Sequence, residues 1–375
     1  MKNVILAGGG TGGHLYPALA LGAALQELDP AVQVHYVGAQ RGVESRVLPE
    51  KGLPHTLLPM RGFQRDGLLQ NWRLVPALGG TFLGLFRLFR RLRPALVVGT
   101  GGYASGPAGL YAVLTGVPLA LQEQNSHAGA VTRVLSRRAR QVHLGFPEAA
   151  SQLEPGARTE ILSLGNPIQA PDTSIDRLAS RRRFGLAEDA VVLLVVGGSQ
   201  GARAINEALV GAIEGVVRGD LPARPEKLEV LWATGPTHIE GISERLRPLG
   251  ADWVKAVGYI DAMPQALAAT DVAVSRAGAM GTAELLAWGR PMILVPLPTA
   301  AADHQTHNAR ALEDAGAAIM LPESEMTSER LWRDMLALTG DADRRARMER
   351  AARDRAQPDA AREIARHLHT LMASR

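Results

Sequence analysis

Two glycine-rich segments carry residue types that suit phosphate binding, and both occupy the same place in a repeated pattern. The first is GGGTGGH at residues 8–14, and the second is GGSQGAR at residues 197–203. Each follows a β-branched apolar run and precedes a helix-like stretch, so each places free backbone N–H groups and a helix N-terminus after a strand. This arrangement binds phosphate. The duplication predicts two α/β domains that face a shared cleft.

The first segment also satisfies the G-x-G-x-x-G pattern of dinucleotide sites, with Gly8, Gly10 and Gly13. A nicotinamide site further needs an acidic residue after the second strand to hold the ribose. The apolar run at 32–37 is instead followed by Gly38, Ala39 and Gln40. Neither segment contains the Gly-Lys-Ser/Thr of a triphosphate loop. No resident cofactor is expected.

The composition excludes several classes of protein and of binding site. The chain has 375 residues, of which 46% are hydrophobic and 21% charged, with a net charge of +4 and no cysteine. A disulfide framework and a thiolate metal site or nucleophile are therefore excluded. The single D-x-D pattern, Asp341 to Asp343, lies in a charged stretch and indicates a helix start rather than a metal site. No apolar run is long enough for a membrane-spanning helix, and the short run after Met1 predicts a first strand rather than a signal peptide.

Apolar runs alternate with helical patterns along most of the chain. Near-continuous Val/Ile/Leu runs are typical of parallel strands that are buried on both faces. The runs lie at 4–7, 32–37, 96–98, 118–121, 191–196, 229–233, 252–257, 271–275 and 292–296. They predict two doubly wound parallel sheets, and Gly165-Asn166-Pro167 marks a hinge between them. The predicted domains are 1–165 and 166–345, followed by a helical segment at 346–375.

Five motifs together resemble the MurG family of peptidoglycan glycosyltransferases. They are the two glycine segments, GGYASGP at 101–107, EQNSHAG at 123–129 and SRAGAMGTAE at 275–284. The resemblance implies a GT-B fold of two Rossmann-like doubly wound parallel-sheet domains facing a cleft. It implies an inverting β-1,4 transfer of N-acetylglucosamine from UDP-N-acetylglucosamine to the muramyl C4 hydroxyl of undecaprenyl-pyrophosphoryl-MurNAc-pentapeptide (lipid I), which gives lipid II for peptidoglycan synthesis.

The resemblance also assigns a donor site in the second domain. The matching positions are Ser199, Gln200, Ala279, Met280 and Gly281 for the diphosphate, Ile260 for uracil, Glu284 for the ribose hydroxyls, and Gln305 with Asn308 for the sugar. Two positions depart from the family. Gln169 stands where an arginine is usual, so the positive charge at the phosphates is expected to be weaker or to come from Arg203 or Arg276. Gly281 replaces a residue with a hydroxyl group but keeps the backbone donor.

In the first domain, the resemblance places Thr11, Gly12, Gly13 and His14 in a loop that faces donor sugar and acceptor. Tyr103, Glu123 and Asn125 line the acceptor side, so the catalytic candidates are His14, Glu123 and Tyr103. A histidine at a helix N-terminus stays neutral and can accept a proton, and a carboxylate in a closing cleft can do the same. Which of His14 and Glu123 is the base stays open. The leaving UDP is expected to be stabilised by helix N-termini without a metal ion.

The segment at 72–93 mixes large apolar side chains with arginines. We single out Phe82, Leu85, Phe86 and Phe89, with Arg87 and Arg90. Such a helix suits an anionic membrane surface, although a core helix with solvated arginines has the same composition. With the resemblance, it predicts a peripheral protein on the cytoplasmic face of the cell membrane. Nucleic acid is not an expected partner, whereas cell-wall synthesis and division proteins stay open as partners.

Three other functions compete with the transferase. A UDP-sugar 2-epimerase has a similar architecture and binds the same donor without a lipid acceptor, but its motifs fit less well. An inactive nucleotide-sugar binding module is the second alternative. An NAD-dependent oxidoreductase is disfavoured, because the ribose-binding carboxylate is missing.

Overall fold

The structure is a computed structural model, and it describes residues 2–60, 74–198 and 200–373, with the main chain alone at 74–76. The chain divides into two compact units. Unit 1 comprises Met1–Gln169 and Gln357–Arg375, and unit 2 comprises Ala170–Ala356. The division after Gln169 lies close to the hinge expected at residues 165–167. The C-terminal segment predicted as one piece is divided, because its last helix belongs to unit 1.

Unit 1 is built on a parallel sheet in the order β3-β2-β1-β4-β5-β6-β7, counted over the described residues. Its strands are β1 Lys2–Ala7, β2 Val32–Ala39, β3 His55–Leu58, β4 Leu96–Gly99, β5 Leu119–Glu123, β6 Gln141–Leu144 and β7 Glu160–Leu162. Its helices are α1 Gly12–Leu28, α2 Glu44–Glu50, α3 Leu74–Leu92, α4 Gly102–Thr115, α5 Ala130–Leu135 and α14 Ala360–Ala373. β2 and β3 lie on one side of β1, and β4 to β7 lie on the other side. The strand order therefore reverses between β1 and β4.

Helices cover both faces of this sheet, as the uninterrupted apolar strands require. α3, α4 and α5 pack on one face, and α1, α2 and α14 pack on the other. α14 reaches unit 1 from the end of unit 2 and buries Ile364 and Leu368 against Leu21 and Leu25 of α1. This burial explains why the end of the chain returns to the first unit.

Unit 2 repeats the design with a parallel sheet in the order β10-β9-β8-β11-β12-β13, again over the described residues. Its strands are β8 Val191–Val196, β9 Leu228–Ala233, β10 Val254–Val257, β11 Val272–Ser275, β12 Met292–Leu294 and β13 Ala318–Met320. Its helices are α6 Arg177–Arg183, α7 Arg203–Arg218, α8 Ile239–Leu246, α9 Met263–Ala269, α10 Ala279–Ala287, α11 His304–Asp314, α12 Ser328–Thr339 and α13 Ala342–Arg355. Here the order reverses between β8 and β11, and ligands of doubly wound sheets bind at such reversals.

The charged segment after residue 326 is helical, as expected. Asp341 precedes α13 and accepts a hydrogen bond from the backbone N–H of Arg344 at 2.8 Å, so the D-x-D pattern is a helix start. Within the described ranges, no helix combines the length and the apolar composition needed to cross a membrane.

Candidate active site

The order reversal in unit 1 brings together the loops that follow β1 and β4. The first loop contains the glycine segment 8–14, and the second contains Thr100, Gly101 and Gly102. The Thr100 hydroxyl donates a hydrogen bond to the His14 carbonyl at 2.7 Å. Both glycines of the second loop have a positive φ, 95° and 73°, which favours glycine. The two loops are therefore fixed to each other at the point where a doubly wound sheet places its ligand.

His14 lies in the first turn of α1, and its ring contacts the glycines of the second loop. A Cβ atom at Gly101 would lie 2.6 Å from His14 Cδ2, so only glycine allows this approach. His14 Nδ1 is 3.1 Å from the hydroxyl oxygen of Thr11, the residue that precedes the helix. Thr11 and Gly13 are exposed, and Gly12 is half-buried. The contacts hold the imidazole at the helix N-terminus, as the sequence predicts.

A fully buried carboxylate, that of Glu44 in α2, supports the same loop. Its Oε2 accepts a hydrogen bond from Gly10 N at 2.9 Å, and its Oε1 accepts one from Ala39 N at 2.8 Å. A Cβ atom at Gly9, Gly38 or Gly42 would lie within 2.1 to 2.3 Å of the Glu44 side chain. The glycines thus leave space for the Glu44 carboxylate. This carboxylate accepts a hydrogen bond from Gly10 N–H, a group that we expected from the sequence to be free to bind a ligand.

Tyr103 covers the opposite side of this loop. A Cβ atom at Gly10 would lie 2.7 Å from Tyr103 Cε1, so the ring rests on the Gly10 backbone. Burial raises the pKa of the Tyr103 hydroxyl, and the negative charge of Glu44 adds to that effect. The phenol therefore stays protonated at neutral pH and can donate a hydrogen bond to a substrate oxygen.

The Glu123 carboxylate at the end of β5 has its acceptor positions occupied by the protein itself. Oε2 accepts hydrogen bonds from Gly129 N at 2.9 Å and from the Thr132 hydroxyl at 2.7 Å, and Oε1 accepts one from Asn125 N at 3.2 Å. The residue is only 4% exposed. These bonds attach the start of α5 to the end of β5. Asn125, half-buried beside Glu123, also donates from Nδ2 to Oε1 at 3.4 Å.

Asn166, in the stretch predicted as the hinge, attaches to the same edge of the sheet. Asn166 Nδ2 donates to the Gln124 carbonyl at 2.9 Å, and Asn166 Oδ1 accepts from Gln122 Nε2 at 3.2 Å. Gly145 leaves space for this amide, because a Cβ atom there would lie 2.3 Å from Asn166 Oδ1. Gln169, the position that departs from the family pattern, is exposed at the end of this stretch.

In unit 2, a cavity of about 680 Å³ lies at the order reversal between β8 and β11. The residues around it come from the second glycine segment and the loops after β11, β12 and β13. They are Gly197, Gly198, Gly201, Ala202, Arg203, Ala204, Glu207, Arg276, Gly278, Leu297, Gln305 and Glu323. α7 and α10 both begin at this cavity, so two helix N-termini are available to an anion. Ser199 lies outside the described residues, and Gln200 is exposed beside the cavity.

The two arginines of the cavity differ in what they contact. The Arg276 guanidinium donates to the carbonyls of Val295 and Pro296 at 3.2 and 3.1 Å and pairs with Glu323 at 2.5 Å. Arg203 is exposed at the start of α7, and its side chain forms no ion pair within the described part of the chain. Arg276 is therefore neutralised by the protein, whereas the charge of Arg203 is available to a ligand.

The loop and first turns of α10 carry the other predicted donor contacts. Ala279, Met280 and Gly281 are the first three residues of this helix, and Gly281 is exposed with open space where a side chain would start. Glu284 lies on the next turn, and burial raises the pKa of its carboxyl group. Ile260 is buried in the loop after β10.

The two predicted sugar-binding side chains differ in burial and in the groups that they contact. Gln305 lines the cavity, and its Oε1 accepts a hydrogen bond from Leu297 N at 3.0 Å. Asn308 is fully buried, and its Nδ2 donates to the Ala277 carbonyl at 3.1 Å. The Asn308 amide thus holds the loop before α10, and its contact with the sugar stays a prediction. The spacing put both residues on one helix face but did not indicate how deep that face lies.

α3 corrects part of the membrane prediction. Leu85 and Phe89 belong to the core of unit 1, with exposures of 0% and 7%, and Phe82 is half-buried against Tyr111 at a ring distance of 6.1 Å. Phe86 is 44% exposed, with the Arg90 guanidinium 5.5 Å from its ring centre. Arg87 and Arg90 are exposed. Leu85 and Phe89 pack against the sheet and are therefore not available to a membrane. Residues 72–73 lie outside the described range.

Comparisons with known proteins agree with this geometry. Residues 4–144 match the Glycosyltransferase family 28 N-terminal domain, and residues 192–364 match the C-terminal domain of that family. The chain is 41% identical over 370 residues to the UDP-N-acetylglucosamine--N-acetylmuramyl-(pentapeptide) pyrophosphoryl-undecaprenol N-acetylglucosamine transferase of Salinibacter ruber, covering 98% of this chain and 96% of that protein. It is 39% identical to the protein of the same name from Chlorobaculum parvum, covering 99% and 100%.

A solved structure extends the likeness to three dimensions. The crystal structure of Acinetobacter baumannii MurG matches with a TM-score of 0.76 and 29% identity, over 99% of this chain and all of that one. The two sheets with their order reversals are therefore those of a GT-B glycosyltransferase. On the family domains, the near full-length identities and this fold, the chain belongs to glycosyltransferase family 28 and, within it, to the MurG family.

Proposed function

We propose that this protein transfers N-acetylglucosamine from UDP-N-acetylglucosamine to the muramyl C4 hydroxyl of lipid I and so makes lipid II. The observation that carries the proposal is the cavity at the start of α7 and α10, where two helix N-termini lie beside Arg203. The chain also matches a named transferase over 98% of its own length and 96% of that protein. The 2-epimerase alternative is not favoured by these relatives. Unit 2 binds the donor, and unit 1 binds the acceptor.

His14 is the favoured general base in this proposal. Glu123 competes for the role, but its carboxylate oxygens already accept hydrogen bonds from Gly129, Thr132 and Asn125. To take a proton, Glu123 would have to give up contacts that hold α5 in place. The His14 imidazole is half-buried in the first turn of α1, and the chemistry needs one group within hydrogen-bond reach of the acceptor hydroxyl.

The residues after β1 and around the start of α7 and α10 can then account for every proton and electron pair of the transfer step. The acceptor oxygen forms a bond to C1 of N-acetylglucosamine while its proton passes to His14. The bond from C1 to the phosphate oxygen breaks, its electron pair leaves with UDP, and the attack from the opposite side inverts C1. Backbone N–H groups at the start of α10 and the Arg203 guanidinium stabilise the charge that develops on UDP. Arg203 would supply the positive charge that Gln169 does not.

The acceptor is a membrane lipid, and unit 1 carries a surface that suits one. We name it the apolar face: Leu78, Leu83 and Phe86 of α3, Leu110 and Leu114 of α4, and Val134 of α5, which are 42 to 69% exposed. The three helices pack side by side on one face of the sheet. Apolar groups beside arginines bind the headgroup boundary of an anionic bilayer. This surface supports peripheral binding to a membrane, and we propose that the membrane face is the cytoplasmic one.

The test is transfer of labelled N-acetylglucosamine to a short-chain analogue of lipid I, with and without EDTA, followed by determination of the linkage. A β-1,4 disaccharide formed in EDTA supports the transferase and its metal independence. Activity abolished by EDTA and restored by a divalent ion would contradict metal independence alone. Release of a 2-epimer, or donor binding without transfer, would contradict the proposed function.

A further inference from the structure

The loop that contains His14 is attached to four buried polar residues of unit 1, which we call the polar network. They are Thr100, Gln122, Gln124 and Asn166, and each is 3% exposed or less. A buried amide group destabilises the fold unless its hydrogen bonds are made within the protein. The partners of these amides therefore show which part of the chain the network holds in place.

Gln124 connects the network to the first turn of α1. Its Nε2 donates hydrogen bonds to the Thr100 carbonyl at 2.8 Å and to the Gln122 carbonyl at 3.1 Å. The Thr100 hydroxyl in turn donates to the His14 carbonyl at 2.7 Å. A Cβ atom at Gly101, which would lie 2.6 Å from His14 Cδ2, would also lie 3.5 Å from Gln124 Oε1. Gln124 is therefore next to the glycine that the His14 ring contacts and, through Thr100, is bonded to the main chain of His14.

Asn166 holds Gln124 from the other side. Its Nδ2 donates to the Gln124 carbonyl at 2.9 Å, and its Oδ1 accepts from Gln122 Nε2 at 3.2 Å. The preceding residue, Gly165, has a φ of 87° and packs on Gln357 of the same unit, because a Cβ atom there would lie 2.4 Å from Gln357 Cβ. The main chain at Asn166 therefore has little space in which to shift, and the network has a fixed base.

The polar network and Glu44 hold opposite ends of the same loop. Glu44 accepts a hydrogen bond from Gly10 N near the start of the loop, whereas the network contacts the His14 carbonyl at its end. The network itself is neutral, and its side chains are too deeply buried to contact a substrate. Its effect on a reaction must therefore pass through the residues that it positions.

We propose that Gln124 and Asn166 are positioning residues for the imidazole of His14. The inference rests on the proposed function, since a base is useful only where an acceptor hydroxyl gives up a proton. A displacement of about 1 Å at a reacting group can lower a rate about a hundredfold. Two neutral amides that keep the first turn of α1 in place thus matter for turnover although neither touches the substrate.

Hydrogen–deuterium exchange of the free full chain tests the anchoring without any substrate. In Gln124→Met, which keeps the size of the side chain but not its donor, exchange at residues 8–16 should be about three- to tenfold faster. Gln141→Met is the matched control, because Gln141 is also a buried glutamine of this sheet but bonds to Glu160 at 3.2 Å. Strand β2 is the internal reference and should exchange at the parent rate in both variants.

Transfer kinetics show whether the effect passes through His14. In Gln124→Met, kcat should fall about ten- to a hundredfold, while UDP affinity, measured by calorimetry, stays at the parent value. Thr100→Val should lower kcat as well, and Thr100→Ser, which keeps the hydroxyl, should retain most of the turnover. The double variant His14→Ala/Gln124→Met should be no slower than His14→Ala, because a network that acts through His14 then has nothing left to position.

Three results would overturn the inference. They are exchange at residues 8–16 that is unchanged or that rises equally in β2, a normal kcat in Gln124→Met, and additive losses in the double variant. Asn166→Ala should give the same changes in exchange and kcat as Gln124→Met, and if it gives neither, Asn166 has no positioning role. A parent protein that transfers no N-acetylglucosamine would contradict the proposed function instead, and the exchange experiment would still decide whether the network holds the His14 loop.

Discussion

The two glycine segments look alike in sequence but differ in what accepts their hydrogen bonds. In the first segment, the Glu44 carboxylate accepts the Gly10 N–H, and the Tyr103 ring packs on the Gly10 backbone. The second segment borders an open cavity of about 680 Å³ together with Arg203. The first loop is filled by the protein's own side chains, and the second leaves space for a ligand.

This difference shows that a glycine loop before a helix can serve two purposes. Around Glu44 the glycines allow close packing, which fixes the position of His14 at the start of α1. Around the second loop they border open space at the start of α7, where backbone N–H groups suit an anion. We therefore assign proton transfer to the first loop and diphosphate binding to the second.

The largest effect is expected at His14. In His14→Ala, kcat should fall about 10²- to 10⁴-fold, the usual contribution of a general base, while UDP affinity stays unchanged because the second loop is intact. Glu123→Gln should mainly lower the free energy of unfolding, since it disturbs the start of α5. Steady-state kinetics and calorimetric UDP titration measure both. Loss of turnover in Glu123→Gln, with normal stability and normal His14→Ala activity, would reverse the assignment.

Glu44 is expected to rank next. Glu44→Gln converts a carboxylate oxygen that accepts a backbone N–H into an amide group, and an unpaired buried N–H costs about 1–3 kcal/mol. We expect a lower melting temperature and lower kcat, with UDP affinity kept. Glu50→Gln, on the exposed side of the same helix, is the matched control and should change neither. Weakened UDP binding in Glu44→Gln would mean that the first loop does hold the diphosphate.

Arg203 tests the second loop. Arg203→Gln should weaken UDP binding about ten- to a hundredfold, because a hydrogen bond to a charged group such as phosphate is worth about 1.5–3 kcal/mol. Uridine, which lacks phosphate, should bind equally to both forms. Arg218→Gln at the far end of α7 is the control. An unchanged UDP affinity in Arg203→Gln would leave the helix N-termini as the main source of diphosphate binding.

Glu284 adds a pH dependence to donor binding. Because burial raises the pKa of this carboxyl group, it becomes protonated at a higher pH than an ordinary glutamate. Protonation removes acceptor capacity for the ribose hydroxyls. UDP affinity should therefore fall as pH is lowered through this pKa, by a severalfold factor, and Glu284→Gln should abolish the dependence. The same dependence in 2′-deoxy-UDP binding would argue against the ribose contact.

The smallest effect is expected at Gly281. No atom lies within 4 Å of a Cβ built there, so Gly281→Ser should fold normally and add one hydroxyl near the diphosphate. We expect UDP binding to tighten by less than about tenfold. Weaker binding, measured by the same titration, would show that the family hydroxyl is not needed in this chain.

The sequence predicts much of this architecture because its strongest signals are local. Uninterrupted apolar runs such as Val191–Val196 predict both parallel sheets. The two glycine segments follow β1 and β8, the strands at which the strand order of each sheet reverses. The role of Glu44 in holding the first loop was not predicted, because the sequence around a buried glutamate in a short helix does not differ from that around a solvent-exposed one. The signal that could have identified it is the pair Gly38 and Gly42 around the end of β2.

The remaining differences arise from burial, which periodicity alone does not give. In α3 the apolar residues are too numerous to fix which side faces the sheet, and packing selects Leu85 and Phe89 for the core while Leu83 and Phe86 stay exposed. The return of α14 to unit 1 depends on contacts that are distant in sequence. Such contacts leave no local pattern.

Hydrogen–deuterium exchange of the full chain, with and without UDP, tests the division between the two loops most directly. The account predicts that UDP slows exchange at residues 197–203 and in the first turn of α10, and leaves residues 8–14 unchanged. Equal protection of residues 8–14 would contradict it, because the first glycine segment would then bind the diphosphate as well.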